Sequence, residues 1–188
     1  MKKPFYKKWW VWIITALLMI FVAAGISGNK KDTPKPAVAK NEKTSLTVDV
    51  YTKKIDKALK EMGDKTKLKA DSIEVLKDGK TAINLSQNII IFLETDKNKN
   101  VKKASLAMTP DAYLTEKEDF KFAFLLLIGT IDNSLSFGDR NLVKQELGLS
   151  DEKVFSKDYT NSYKKNEIMY TYKGSIKENF ILQAELRK

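Results

Sequence analysis

The chain has 188 residues with a formal net charge of +10, and it contains neither histidine nor cysteine. Hydrophobic residues make up 43% and charged residues 31%, a balance typical of a folded domain rather than a disordered chain. The missing residue types exclude disulfides, thiolate metal sites, and Ser-His-Asp or Cys-His catalysis. An enzyme built from this sequence would have to use carboxylates, lysines or tyrosines.

The positive charge is concentrated near the N-terminus. Four lysines lie within residues 1–8, residues 29–44 add +3, and only about +3 remains for residues 45–188. Basic residues beside a membrane segment attract anionic lipid headgroups. We therefore expect phospholipid, and no nucleic acid, to be the partner of this charge.

Residues 9–28, WWVWIITALLMIFVAAGISG, contain no charged residue and are mostly apolar. A helix of this length spans roughly 30 Å, the hydrocarbon thickness of a bilayer. The sequence therefore predicts a short cytoplasmic segment at residues 1–8 and a transmembrane helix at residues 9–28. Tryptophan prefers the headgroup level, and lysine marks the cytoplasmic side. The predicted membrane-interface residues are Lys7, Lys8, Trp9, Trp10 and Trp12.

Two other interpretations of this segment stay open. Val22-Ala23-Ala24 has the small residues that a signal peptidase reads, so cleavage near Ala24 would give a secreted protein. A soluble protein with a buried apolar helix is the second. The length of the apolar run and the three tryptophans favour the uncleaved anchor. Anchor and signal peptide alike place residues 30–188 outside the cytoplasm.

The run KKPFYKKWW, residues 2–10, resembles the start of many small single-pass membrane proteins of Gram-positive bacteria. The resemblance covers Lys2 to about Gly28. Such leaders precede many different exported domains, so the resemblance implies a location at the cell membrane and a lineage, but no activity.

Residues 29–44 are polar, carry Pro34 and Pro36, and show no apolar period. They are predicted to form a flexible tether that reaches at most about 50 Å when extended. An extracytoplasmic domain at residues 45–188 follows.

The first half of this domain begins with a predicted helix over residues 47–62, ended by Gly63. Three strands follow, around Ile73 and Val75, over residues 82–93, and over residues 101–108. Asp78-Gly79 predicts a hairpin turn after the first strand. The apolar run at residues 89–93 predicts a central strand covered on both faces.

The second half opens with Thr115-Glu116-Lys117-Glu118, a predicted capping box before a helix over residues 120–135. This helix is apolar nearly all round and must be buried. Ser136 and Asp139 predict a second cap and a short helix that Gly148 ends.

Residues 149–166 are predicted to be a loop, and residues 167–172 and 180–186 to form a closing hairpin. The order is helix, three strands, two helices, two strands. It predicts the α+β class, with an antiparallel sheet and helices on one face.

Two motifs imitate functional sites. Residues 96–100 resemble the start of a calcium loop, but Val101 and Ala107 occupy positions that require glycine and a bidentate glutamate. Ser-x-x-Lys occurs at Ser27, Ser150 and Ser162, which is close to chance frequency in a chain so rich in lysine. We therefore assign no metal, cofactor-binding or catalytic residues and expect no cofactor.

A cell-envelope hydrolase that uses a carboxylate pair is the alternative to a non-enzymatic role. Such a pair would face one pocket with about 5–10 Å between the carboxyl groups. Most of the candidates lie at predicted helix starts, where a negative charge complements the helix dipole. They are Glu116, Glu118, Asp119, Asp132 and Asp139.

Tyrosines and lysines gather near the C-terminus, and Tyr163, Tyr170, Tyr172 and Lys173 are the predicted binding face. The alternative is that tyrosine is simply a good strand former. Together these features predict a membrane-tethered, extracytoplasmic, non-catalytic domain that binds a protein or a cell-envelope component.

Overall fold

Seven antiparallel strands and four helices build the part of the chain that a computed structural model describes, residues 46–174 and 176–186. These residues belong to one compact unit, Lys43–Lys188. The predicted transmembrane helix, tether and membrane-interface residues lie outside the described residues. Within the described ranges, no helix is both long and apolar enough to cross a membrane.

The first half contains one helix and four strands. They are α1 (Val48–Met62), β1 (Ser72–Val75), β2 (Thr81–Asn84), β3 (Ile89–Thr95) and β4 (Val101–Met108). The second half contains three helices and three strands. They are α2 (Pro110–Thr115), α3 (Lys117–Ile131), α4 (Phe137–Glu146), β5 (Tyr159–Lys165), β6 (Ile168–Gly174) and β7 (Phe180–Leu186).

The strands form one sheet in the order β1-β2-β3-β4-β7-β6-β5, and every neighbouring pair is antiparallel. The predicted α+β class with an antiparallel sheet is therefore confirmed. Burial alternates along the central strands, and α3 packs against β3, β4 and β7. The sheet thus has a helix-covered face, which carries the core, and an open face.

The core is centred on α3 and is rich in aromatic side chains. Phe120 has ring-centroid distances of 5.1 Å to Phe124, Phe155 and Phe180, in edge-to-face geometry. Such pairs add to the hydrophobic stabilisation of burying the rings. The prediction that this helix is buried is confirmed. Its end is not at residue 135 but at Ile131, where a turn begins.

The segment at residues 82–93 is two strands, not one. The chain reverses between β2 and β3, where the Leu85 amide donates to the Ile89 carbonyl (2.9 Å). Polar residues at 86–88 permit the turn, and the Ser86 hydroxyl accepts from the Asn88 amide (3.1 Å). Ile90 and Phe92 on β3 are only half-buried, so the predicted coverage of both faces is also wrong.

Residues 149–166 are not a loop. They contain a short 3-10 turn, Glu152–Ser156, and the edge strand β5. The turn places Phe155 in the core at 1% exposure. The strand was missed because its sequence, YTNSYKK, lacks alternating aliphatic residues, and none of its residues is fully buried. The observed order is therefore helix, four strands, three helices, three strands.

The two predicted caps have different outcomes. Ser136 and Asp139 form a complete capping box at the start of α4, as predicted. Thr115 instead ends α2, where its hydroxyl donates to the Asp111 carbonyl (2.7 Å). Glu116 precedes α3 without a side-chain cap, because its carboxylate is engaged elsewhere.

Candidate functional site

The predicted binding face does not form one surface. Tyr170 and Tyr172 lie on the helix-covered face of β6 with no exposed area, and Tyr163 is half-buried opposite Tyr170 on β5. Lys173 alternates with these tyrosines, so it lies on the open face and is exposed. The two buried tyrosines are part of the core. This agrees with the alternative interpretation, in which tyrosine occurs here because it is a good strand former.

Burial also determines the chemistry of these tyrosines. The hydroxyls of Tyr170 and Tyr172 have no hydrogen-bond partner among the described residues. Burial raises the pKa of both phenols above the ordinary value, so both are neutral at physiological pH. They can neither contact a partner nor act as a base while the domain is folded.

Two of the candidate carboxylates connect segments of the fold. Glu116 accepts hydrogen bonds from the Ser86 hydroxyl (2.9 Å) and the Asn88 side-chain amide (2.6 Å), which join the β2–β3 turn to α3. Asp119, 7% exposed, accepts from the Thr66 hydroxyl (2.6 Å) and the Lys67 backbone amide (3.1 Å). Asp119 therefore fixes the segment between α1 and β1.

Two more candidates are engaged near α4. Asp132 accepts from the Ser134 hydroxyl (2.6 Å) and the Asn166 side chain (2.7 Å). Asp139 accepts from Ser136 and from the Lys165 ammonium, and these bonds lower its pKa to about 2. A general acid needs the opposite shift.

Three of the candidates line one shallow cleft of about 310 Å³, between residues 64–67 and residues 115–119. They are Glu116, Glu118 and Asp119. Glu116 and Asp119 are already held by hydrogen bonds to other segments of the fold. The cleft has no aromatic side chain to stack on a sugar. Across the described ranges, no group of three or more acidic residues is arranged to hold a metal ion.

The β1 edge of the sheet is an exposed strand that the sequence did not mark as a site. Ile73 is 50% exposed and Val75 is 78% exposed, although both lie on the face that carries the core. The β1–β2 turn has the predicted form, with Gly79 at φ 81°.

Backbone hydrogen bonding leaves this edge free to pair. The Leu76 amide donates to the Lys80 carbonyl (2.8 Å) across the β1–β2 hairpin. Hydrogen bonding alternates along an antiparallel ladder, so the amides and carbonyls of Ile73 and Val75 point away from β2. Two apolar side chains therefore lie at this edge beside a strip of backbone that no described strand pairs with.

The β5 edge is held by side chains. Asn161 donates to the Glu146 carbonyl at the end of α4 (2.9 Å), and its side-chain oxygen accepts from the Ser162 amide (2.8 Å). The Lys165–Asp139 ion pair (2.9 Å) connects the far end of β5 to the start of α4. These contacts occupy groups that a free edge would offer to another chain.

Comparison with known proteins does not assign the chain to a family. The chain matches no protein-family model, and neither curated proteins nor solved structures give a significant match.

Proposed function

We propose that this protein is a membrane-tethered, extracytoplasmic, non-catalytic domain that binds an extended segment of a partner protein along β1. The observation that carries the proposal is the exposed β1 edge. Ile73 and Val75 together present apolar surface and outward backbone groups at one end of the sheet. Strand addition uses such backbone groups for affinity and alternate side-chain positions for specificity.

The chemistry of the edge defines the segment it would take. An added strand would place every second side chain beside Ile73 and Val75, so those positions should be apolar. Lys77 and Lys80 flank the end of the edge, although Lys80 already pairs with Asp78 (2.8 Å). The partner segment is therefore extended, with alternating apolar residues and at least one acidic residue that reaches Lys77.

The location is supported by the apolar run at residues 9–28 and the lysines before it. The absence of cysteine provides a direct test of orientation. A single Lys57→Cys variant of the full-length protein should react with a membrane-impermeant maleimide in intact cells, whereas a Lys3→Cys variant should react only after lysis. Labelling of Lys57→Cys only after lysis would reject an extracytoplasmic location.

The binding edge is tested by site-specific photocrosslinking in cells that make the protein. A crosslinking amino acid at Val75 should give a discrete adduct, and the same group at Thr160 on β5 should not. Proline at position 75 removes an outward amide without removing a β1–β2 bond, so Val75→Pro should abolish an adduct formed from position 73. Equal adducts from the two edges, or an adduct that survives Val75→Pro, would reject β1 as the site.

One observation favours a second candidate, the carboxylate-dependent envelope hydrolase. Glu118 lines the cleft with three other carboxylates, those of Asp64, Glu116 and Asp119. The test is release of soluble fragments from purified cell wall by the wild-type protein and by Glu118→Gln. Release by the wild-type protein that the variant loses would support the hydrolase and count against a non-catalytic role.

A further inference from the structure

Glu74 lies in the middle of β1, on the opposite face of the strand from Ile73 and Val75. Side chains alternate along a strand, so Glu74 points to the open face of the sheet, where it is exposed. Its neighbour on β2 is Ala82, and the next residue across, on β3, is Phe92. The strand residues beside Glu74 therefore offer its carboxylate no counter-charge.

Within the described ranges, Glu74 forms no ion pair. Two nearby carboxylates differ in this respect, because Asp78 pairs with Lys80 (2.8 Å) and Glu94 with Lys103 (3.3 Å). Water solvates an exposed charge on an edge strand, but an added strand would place one of its residues directly opposite that charge. The type of that residue decides whether Glu74 attracts or repels the strand.

A second copy of the chain is one strand that could add to β1, and its register follows from the backbone. Ile73 and Val75 carry the outward groups, so they would form hydrogen-bonded pairs with the same residues of the second copy. Pairing Ile73 with itself would set Val75 against Asp71, and pairing Val75 with itself would set Ile73 against Lys77. Pairing Ile73 with Val75 matches both apolar residues.

The two-fold symmetry of this matched register places Glu74 directly opposite Glu74 of the second copy. The position is a non-hydrogen-bonded pair, where side chains on adjacent strands approach most closely. Like charges that face each other across two strands are destabilising. The register that suits the apolar residues of β1 is therefore the one that Glu74 opposes.

We propose that Glu74 determines which strand β1 accepts: it excludes a second copy of this chain and selects a segment with lysine or arginine opposite position 74. Opposite charges at such a position stabilise the pairing of two strands. The partner segment then has a basic residue between two apolar residues that lie beside Ile73 and Val75. This inference rests on the proposed role of β1 and adds the charge that the partner must carry there.

Mixing two charge forms of the protein tests this selection, because Glu74→Lys supplies the same strand with a basic residue at the facing position. The full-length protein in neutral detergent, labelled at a Lys3→Cys substitution, is titrated with unlabelled protein, and fluorescence measures the dissociation constant. Wild type and Glu74→Lys should associate about tenfold more tightly with each other than either does with itself. This difference should shrink as the salt concentration rises.

Three variants control for other causes of association. Glu74→Gln, which only removes the charge, should associate with itself about threefold more tightly than the wild type does. Val75→Pro removes an outward amide, so in either member it should reduce the mixed pair to the background given by the rest of the chain. Glu167→Lys, in the β5–β6 turn, is the matched reversal of an exposed charge and should give no gain when mixed with wild type.

Equal dissociation constants for the mixed and the like pairs, or a gain that survives Val75→Pro, would overturn the proposal. Its failure differs from failure of the proposed function. A discrete adduct at Val75 in cells, without charge preference in the mixing experiment, would keep β1 as the binding edge and reject selection by Glu74. A tight mixed pair without an adduct in cells would support selection by Glu74 and reject β1 as the edge used in cells.

Discussion

The two edges of the sheet are built differently, although both are hairpin strands of a similar kind. β5 is held against α4 at its middle by Asn161 and at its end by Lys165. In the described part of the chain, β1 has only β2 beside it and exposes Ile73 and Val75. The β1 edge thus carries exposed apolar residues. The β5 edge carries polar residues that are bonded to α4.

The difference shows how a protein can leave one edge available and keep the other closed. Free edges template pairing with other chains, and native proteins normally block them. At β5 the block consists of side-chain hydrogen bonds to a helix. At β1 the strand has only four residues and lysines lie nearby, which limits pairing without blocking it and is compatible with the binding edge that we propose.

The largest effect is expected where β6 supports β5. Tyr172 has no exposed area and packs its ring near Phe124, Phe155 and Tyr159. Tyr172→Ala should lower the free energy of unfolding by about 3–5 kcal/mol, because it leaves a large cavity. Ile73→Ala at the open edge should cost less than about 1 kcal/mol. Urea unfolding of residues 43–188 measures both free energies. Similar losses of stability in Tyr172→Ala and Ile73→Ala would contradict the proposed difference between the two edges.

The next largest effect is a difference in stability between alanine variants of two glycines that have the same backbone conformation. Gly148 (φ 80°) and Gly79 (φ 81°) both adopt the left-handed region, where a side chain costs about 1–2 kcal/mol. A Cβ at Gly148 would also meet the Tyr159 hydroxyl, whereas a Cβ at Gly79 meets nothing within 4 Å. Gly148→Ala should therefore destabilise by about 2–4 kcal/mol and Gly79→Ala by about 1–2 kcal/mol.

Hydrogen exchange locates this effect. Gly148→Ala should speed amide exchange in β5, because Tyr159 must move away from the end of α4, and Gly79→Ala should leave β5 unchanged. Faster exchange of β5 in both variants would show that the left-handed conformation alone, and not the contact with Tyr159, matters there.

A smaller effect of opposite sign is expected from removing a buried hydroxyl. The Tyr172 hydroxyl is buried and has no hydrogen-bond partner within residues 46–174 and 176–186, so Tyr172→Phe should leave stability unchanged or raise it by up to about 1 kcal/mol. Asn161→Ala is the comparison, because its hydrogen bonds are made, and it should lose about 1 kcal/mol. A loss of stability in Tyr172→Phe would mean that the hydroxyl has a partner, such as an ordered water.

The smallest effect is a pH dependence at the protected edge. The pKa of Asp139 is about 2 in the folded domain, below its ordinary value of about 3.9. Its contribution is therefore present above about pH 4 and is lost as the pH falls towards 2. Asp139→Asn should flatten the pH dependence of the unfolding free energy in this window.

Ser136→Ala should reproduce part of that flattening, because the Ser136 hydroxyl is the largest cause of the low pKa. The shift belongs to an exposed group, so a modest slope change is expected. An unaltered slope in the Asp139 variant would assign the acid sensitivity to other carboxylates.

Local patterns in the sequence were sufficient to predict helix ends, turns and the buried helix, because each of these features depends on residues close together in the chain. Gly63 ends α1 as predicted, the helix begins one residue after the predicted Thr47, and the Ser136–Asp139 box begins α4. Asp78-Gly79 gives the expected turn, and the apolar helix is buried because no other environment suits it. These signals depend on neighbours within a few residues.

Tertiary structure decided the features that depend on distant contacts. The sequence places Glu116 at a helix start, where its charge would complement the helix dipole, but Ser86 and Asn88, about 30 residues earlier, donate to its carboxylate. β5 is a strand because α4 and β6 pair with its polar groups, and no pattern within YTNSYKK reveals those partners.

The candidate sites divide in the same way. Composition alone determined which chemistries the chain lacks, because the absence of histidine and cysteine does not depend on the fold. The fold decided that Tyr170 and Tyr172 are core and that Ile73 and Val75 are exposed, because strand order sets which apolar residues a helix covers.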